Sequence, residues 1–217
     1  MDTLTAKDIP GMFARFATVF AEQKEALIAL DGKVGDSDLG LTMAKGFAAA
    51  SAAVADLDED SIEKQLKTAG AAIARAAPST MGTLMATGFM RGSVAAKDQD
   101  ALGTLELAHF WTAFFDGVAQ RGRAQVGDKT VLDVLHPIAD TMTAQAEAGT
   151  PLPAALTAAH TRAVTALEEG KDLVAQRGKA AAFQEKTRGI QDAGSTVAVI
   201  LIDTMAQFVN GDAARAV

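Results

Sequence analysis

The 217-residue sequence contains no cysteine and no tyrosine, and it has only 5 prolines. Without cysteine the chain cannot form disulfides, zinc–thiolate sites or a thiol nucleophile. Long hydrophobic runs are also missing. The longest, residues 195–209, is interrupted by Asp203 and is expected to be too short to span a bilayer. The N-terminus lacks the basic start and apolar stretch of a signal peptide. These absences predict a soluble cytoplasmic protein with no membrane partner.

An excess of positive charge is missing as well, because the formal net charge is -7. A general nucleic-acid binder needs a basic face to offset phosphate repulsion, so nucleic acid is not expected as a partner. Small anionic ligands bound through a metal ion remain compatible with this charge. Hydrophobic residues make up 49% and charged residues 22%, which is typical of a globular protein. The length favours a single domain over residues 1–217.

Apolar residues recur with helical spacing along nearly the whole chain. Only residues 196–202 are rich in β-branched side chains, and a lone strand would have no partner, so this segment is interpreted as a buried helix. The pattern predicts an all-α bundle of eight antiparallel amphipathic helices with short loops. Their approximate positions are a first helix through residues 13–27, then 41–54, 61–76, a fourth after Pro78, 105–120, 130–148, a seventh from Pro151 past Gly170, and 195–209.

Four joints between the predicted helices combine polar residues with glycine: residues 31–40, 77–83, 122–130 and 187–195. They follow the first, third, fifth and seventh helices. If successive helices run up and down, joints that alternate in this way lie at the same end of the bundle. The sequence therefore predicts that all four joints surround one rim.

Three aspartates lie close together in the first joint, within the stretch "LDGKVGDSDLG". Asp31 continues the apolar stripe of the first helix, and Asp36 and Asp38 follow in a glycine-containing turn. Clustered carboxylates are typical ligands of hard cations such as Mg²⁺. The alternative is an ordinary turn in which Asp38 or Thr42 caps the next helix. The pattern alone leaves both interpretations open.

The other three joints allow two interpretations each. "PSTMGTL" and "TRGIQDAGST" precede helices, whose first amides favour an anion, but each also contains ordinary N-cap residues: Ser79 or Thr80, and Asp192 or Ser195. "GRAQVGDKT" is close to a P-loop, yet Asp128 precedes Lys129 and the preceding segment is helical rather than a strand. A P-loop is therefore rejected, although this loop can still contact a nucleotide.

These motifs occur together in one order: "DGKVGDSDLG", "MGTL", "GDKT" followed by Asp133, and "DAGS". In this the chain resembles the nucleotide-binding L subunit of dihydroxyacetone kinase over nearly its full length. The resemblance implies a barrel of eight antiparallel amphipathic helices that holds ADP or ATP at one rim through two Mg²⁺ ions. It implies Asp31, Asp36 and Asp38 as metal ligands. The implied nucleotide contacts are Leu39, Gly40, Leu41, Thr42, Thr80, Met81, Gly82, Gly122, Val131, Lys179, Asp192, Ala193 and Gly194.

The resemblance also implies a phosphotransferase that acts on dihydroxyacetone or a related triose or tetrose held by a separate K subunit. The donor would be ATP, or a bound ADP that a phosphotransferase-system phosphoprotein, the M subunit, rephosphorylates. No catalytic residue on this chain is assigned. The alternative is a non-catalytic, nucleotide-sensing regulatory protein of the same fold.

Four positions depart from the pattern of the resembled family. Leu39 stands where the family often has histidine, Met81 replaces a serine, Lys179 replaces an arginine, and Ala193 replaces a proline. Lysine lacks the two-pronged guanidinium of arginine, so the contact at residue 179 is expected to differ.

Overall fold

The computed structural model describes residues 1–211 and is mainly helical in that range. The α-helices are α1 (Ile9–Glu22), α2 (Lys24–Asp31), α3 (Leu39–Ala55), α4 (Ile62–Ala76), α5 (Thr80–Ala95), α6 (Thr104–Gly122), α7 (Leu132–Glu147), α8 (Leu152–Glu169) and α9 (Ala193–Asn210). Between α8 and α9 lie two 3₁₀ segments, Gly170–Asp172 and Ala180–Thr187. The all-α prediction is confirmed.

The helices form a closed ring. From α3 onward each helix packs on the next one in sequence, α9 returns to α1, and α1 packs on α3. Apart from residues 170–192 between α8 and α9, the loops between packed neighbours are short, which gives an antiparallel arrangement. Because both α1 and α2 pack on α3, the two together occupy one position in the ring. Eight positions result, as the sequence predicts.

The seventh predicted helix, α8, ends at Glu169 and does not continue as an α-helix past Gly170. Two further details of the prediction were wrong. The first predicted helix is divided at Gln23, where the chain bends before α2 begins. The second error concerns strands, because Leu4–Thr5 (β1) and Ala101–Leu102 (β2) form a two-residue antiparallel ladder. Neither strand carries a β-branched run, so no sequence pattern marked them. The β-branched stretch 196–202 is helical, as predicted.

Helix α9 corrects the prediction about apolar length. It has 18 residues and is long and apolar enough to cross a membrane, although the sequence reading judged this stretch too short. However, 67% of it is buried inside the fold, against α1, α7 and α8. The core helix of a globular protein has the same composition, so length and hydropathy alone do not identify a membrane span here.

Aromatic side chains fill the interior of the ring. Phe89 on α5 lies at the centre, with ring centroids 5.3 Å from Phe13 and Phe114 and 6.0 Å from Phe47. Edge-to-face and tilted pairs of this kind stabilise a core beyond the area they bury. Helices α1, α3, α5 and α6 therefore meet in one packed centre, which leaves the ends of the ring for a ligand.

Close packing of α5 on α6 depends on glycine. A Cβ atom on Gly88 would overlap the buried Phe114 ring. We expect Gly88→Ala to lower the free energy of unfolding by about 1–3 kcal/mol, because the steric cost exceeds the gain in helix propensity. Gly11→Ala is the matched control, since its Cβ would meet the Phe208 ring at 3.4 Å, an ordinary contact. Urea unfolding of both variants measures the effect, and equal stability of the two would contradict it.

Candidate functional site

A cavity of about 400 Å³ opens at one end of the ring. Its walls include residues from all four joints that the sequence predicts to share a rim, among them Asp36, Thr80, Gly122 and Gly194. The prediction that these joints meet is therefore confirmed. Residues 177–180 from the segment between α8 and α9 complete the wall.

Four helices begin at this cavity. The first residues of α3, α5, α7 and α9, which are Leu39, Thr80, Leu132 and Ala193, all line it. A helix N-terminus presents free amides and a partial positive charge. Four of them around one cavity favour a ligand with several negative charges, such as a chain of phosphates.

The three aspartates of the first joint form a cluster at the cavity wall. Carboxylate oxygens of Asp31, Asp36 and Asp38 lie within 4.8 Å of one another. Asp31 is half-buried and the other two are exposed. At about 4 Å, two like charges cost about 1 kcal/mol in water and more near a protein surface. The cluster therefore favours a bound cation.

Asp31 also holds the start of α3. Its Oδ2 accepts hydrogen bonds from the amides of Asp38 at 3.0 Å and Leu39 at 3.3 Å. Gly35 permits this arrangement, because a Cβ there would overlap the Asp31 carboxylate. Asp38, at the N-cap position, makes no side-chain cap of its own. The simpler cap-and-turn prediction thus named the wrong residue, and the capping carboxylate comes from α2.

Lys179 reaches the acidic cluster from the opposite wall, where its Nζ forms an ion pair with Asp36 Oδ2. A positive group therefore already lies beside the carboxylates. The donor set consists of oxygen atoms only, which suits Mg²⁺ rather than a soft metal. The three carboxylates fit a Mg²⁺ site, and in this structure one of them, Asp36, is paired with Lys179.

Side chains cap the helices on the far wall. Ser79 Oγ accepts from the Gly82 amide at 3.1 Å, and Asp192 Oδ2 accepts from the Ser195 amide at 2.6 Å. Burial raises the pKa of Asp192 to about 6, although the hydrogen bond from Ser195 opposes the rise. Gly194 lies so close to Met81 that a Cβ would come within 2.8 Å of the methionine methyl group.

The 123–131 loop follows a helix, α6, so the rejection of a P-loop is confirmed. Asp133 secures the loop by accepting from the amides of Gly127 at 2.5 Å and Thr130 at 2.7 Å. Lys129 lines the cavity, but its ammonium is occupied and does not extend toward phosphates as a P-loop lysine does. Its Nζ instead donates to backbone carbonyls of the segment between α8 and α9.

Most sequence-predicted residues line the cavity. These are Asp31, Asp36, Asp38, Leu39, Thr80, Met81, Gly122, Val131, Lys179, Asp192, Ala193 and Gly194. Four predicted contacts do not line it. Gly40 packs against the α2 backbone at Lys24, Gly82 packs against Ala77, Thr42 is buried, and Leu41 is exposed on the outer side of α3. Whether any of these residues binds a nucleotide stays a prediction.

Sequence reasoning missed part of the wall. The missed apolar members are Val34, Leu84, Val118, Ala124, Leu132 and Ala180, and the other missed members include Lys129, Thr130, Arg177 and Gly178. Apolar wall residues share the helical spacing of core residues, so no pattern separates them. Arg177 and Gly178 directly precede Lys179, and that adjacency was an available signal.

Comparisons with known proteins show which family the chain resembles and which fold it shares. The DAK2 domain family matches residues 33–207. The ADP-binding subunit DhaL of the PEP-dependent dihydroxyacetone kinase of Escherichia coli is 29% identical, over 94% of this chain and 97% of that subunit. The L-erythrulose kinase of Pectobacterium atrosepticum is 31% identical over 84% of this chain and 31% of that enzyme.

Among solved structures, the dihydroxyacetone kinase of C. freundii in complex with AMP-PNP and Mg²⁺ has a TM-score of 0.69. It is 20% identical, and the match covers 92% of this chain and 33% of that chain. At this identity the likeness shows the fold. The chain thus spans nearly all of a separate subunit, but only about a third of the longer kinases.

The raised pKa of Asp192 predicts a pH effect on stability. Its ordinary value is 3.8 and its value in the fold is about 6. Between these pH values the folded state keeps a proton that the unfolded state releases, so the free energy of unfolding falls as pH rises. Asp192→Asn keeps a capping oxygen but cannot titrate. From pH 4 to pH 7 the free energy of unfolding of the variant, relative to that of the unsubstituted protein, should therefore rise by at most about 3 kcal/mol.

Denaturant unfolding without metal at several pH values measures this difference. Asp58→Asn, in the exposed loop between α3 and α4, controls for the loss of one charge. A difference between Asp192→Asn and the unsubstituted protein that stays constant from pH 4 to pH 7 would contradict the assignment.

Proposed function

This chain belongs to the DAK2 domain family, and we propose that it is the nucleotide-binding subunit of a dihydroxyacetone-type kinase. It holds ADP or ATP with Mg²⁺ and presents a phosphoryl group to a short ketose on a separate subunit. The observation that carries the proposal is the single cavity where three clustered carboxylates face four helix N-termini. A Mg²⁺–polyphosphate ligand matches both features, since its metal suits the carboxylates and its phosphates suit the helix amides.

Different residues of the cavity would bind the metal, the phosphates, and the base and sugar. Asp31, Asp36 and Asp38 would hold the metal, which when bound neutralises phosphate charge in phosphoryl transfer. Amides at the starts of α5 and α9 would bind phosphate oxygens. Val34, Met81 and Ala124, the partly exposed apolar residues of the wall, would offer a surface for the base and sugar.

Lys179 changes partner in this scheme. In the structure its ammonium balances the charge of Asp36. A divalent cation on the three carboxylates takes over that balance, which leaves Lys179 available to a phosphate oxygen. A lysine offers a phosphate one point charge, whereas the arginine of the resembled family offers a two-pronged contact. We therefore expect Lys179→Arg to retain nucleotide binding.

The acceptor is supplied from outside the chain. Asp36 and Asp38 are exposed at the cavity, so the phosphoryl end of a nucleotide held there faces solvent or a partner surface. We therefore assign the ketose to a K subunit. Relatives named for dihydroxyacetone and for L-erythrulose both match this chain, which is consistent with a ketose chosen elsewhere. The donor is ATP, or ADP rephosphorylated by an M subunit, and a relative named as the ADP-binding subunit of a PEP-dependent kinase is consistent with the second donor.

Removal of one ligand tests the metal assignment. We expect Asp36→Ala to weaken Mg²⁺-dependent ADP binding by at least about 100-fold, since even groups behind metal ligands contribute 10–100-fold. Isothermal titration calorimetry with and without Mg²⁺ measures the affinity and the number of ions. Asp58→Ala, exposed and remote in the α3–α4 loop, is the control and should bind as the unsubstituted protein does. Unchanged affinity in Asp36→Ala would exclude the metal site.

A coupled assay tests whether the subunit is catalytic. The chain is combined with a K subunit and either dihydroxyacetone or erythrulose, with ATP or with a phosphoenolpyruvate-driven phosphotransferase mixture. Phosphorylated ketose in either mixture is the expected result, and it identifies the donor. Tight Mg–ADP binding without turnover of any ketose would instead favour the nucleotide-sensing alternative.

A further inference from the structure

The side chain of Lys129 is buried, with 4% of the residue exposed, and its ammonium faces backbone oxygen atoms. Nζ donates to the carbonyls of Lys171 at 3.1 Å, Leu173 at 3.0 Å and Thr187 at 2.8 Å. All three donor positions of the ammonium are therefore used. Burial lowers the pKa of Lys129, while the carboxylate of Asp192 opposes that effect. A buried lysine whose three N–H groups all donate to backbone carbonyls has a structural role in the fold.

The three acceptors belong to one segment, residues 170–192, which we name the connector because it joins α8 to α9. Lys171 and Leu173 lie near its beginning and Thr187 lies near its end. One ammonium thus fastens both ends of the same segment. Hydrogen bonds that hold both ends of a long loop reduce the conformational freedom that the loop would otherwise retain.

The connector also joins its own ends, because the Gly189 amide donates to the Lys171 carbonyl at 2.8 Å and the Ala175 amide donates to Thr187 Oγ1 at 3.0 Å, but it has little apolar contact with the rest of the fold. Within residues 170–192 only Ala175 and Thr187 are buried. Apolar burial therefore cannot fix its position, and polar ties from the 123–131 loop take that role. Besides the three bonds of Lys129, Asp128 accepts from Arg177 Nε at 3.2 Å and through its carbonyl from the Gln176 amide at 2.9 Å.

The connector carries Arg177, Gly178 and Lys179 to the cavity, where Lys179 pairs with Asp36. We propose that Lys129 is a positioning residue whose ammonium holds the connector in place and so keeps Lys179 at the acidic cluster. This inference rests on the proposed nucleotide function for its effect on binding. Its effect on the connector itself does not depend on that function.

Replacement of Lys129 by methionine tests the inference, because methionine keeps most of the volume and removes all three donors. Hydrogen–deuterium exchange should be faster by about 10-fold or more in residues 173–188 and unchanged in α5 and α6. The Kd for Mg–ADP should rise by about 10-fold or more. Lys171→Met is the matched control, since its side chain pairs with Glu168 on the surface and only its backbone carbonyl contacts Lys129. It should change neither quantity.

Chemical rescue separates a donor role from simple packing. In Lys129→Ala, ammonium ions should partly restore slow exchange of the connector and Mg–ADP affinity, because they supply donors to the same carbonyls. Tetramethylammonium at equal ionic strength has no N–H group and should restore neither. Equal effects of the two salts would overturn the inference.

Two controls keep the outcome decisive. If the unsubstituted protein does not bind Mg–ADP, the proposed function fails, and connector exchange alone then tests the role of Lys129. If Lys129→Met does not fold, Lys129→Arg is measured, because a planar guanidinium keeps the charge without the geometry of three converging carbonyls. Faster connector exchange supports the inference, and exchange equal to that of the unsubstituted protein overturns it.

Discussion

The direction of the helices around the closed ring is the constraint on which the site depends. Because neighbours are antiparallel, α3, α5, α7 and α9 all point their N-termini at one end, and residues at each of these starts line the same cavity. Their free amides favour negative charge there. Three carboxylates in the same place would oppose an anion unless a cation lay between them. A metal ion would neutralise the carboxylates, and a polyphosphate would bind the helix amides. Together they satisfy both groups, whereas either alone would satisfy only one.

Residues that cap helices also line the cavity and belong to the proposed ligand site. Asp31 holds the first amides of α3 and belongs to the acidic cluster, and Asp192 caps α9 while lining the cavity. A carboxylate that already accepts amide protons is held in a fixed position, so little side-chain freedom is lost when a ligand arrives. The same sharing means that substitutions at Asp31 affect fold and binding together. Asp36 has no such capping bond and therefore gives the cleaner test of the metal site.

Local patterns predicted most of this arrangement. Helical spacing identified the ring positions, and the alternation of polar joints placed four loops at one rim, because both signals lie within a few neighbouring residues. The connector could not be predicted in this way. Lys129 and its three carbonyl partners are 42, 44 and 58 residues apart in sequence, and backbone carbonyls carry no residue signature. The bend at Gln23 was missed because α1 and α2 share one continuous apolar stripe.

The position of Lys129 also explains why a near match to a P-loop is not one. A P-loop lysine extends toward phosphates, and its neighbours are amides of the same loop. Here Lys129 lines the cavity, but its ammonium donates to carbonyls of the connector, and the connector brings another lysine, Lys179, to the acidic cluster. The charge at the cavity is thus supplied by a residue on the connector, whose location depends on polar ties rather than on the apolar core. Nucleotide affinity can therefore be adjusted through the connector while the aromatic centre of the ring stays unchanged.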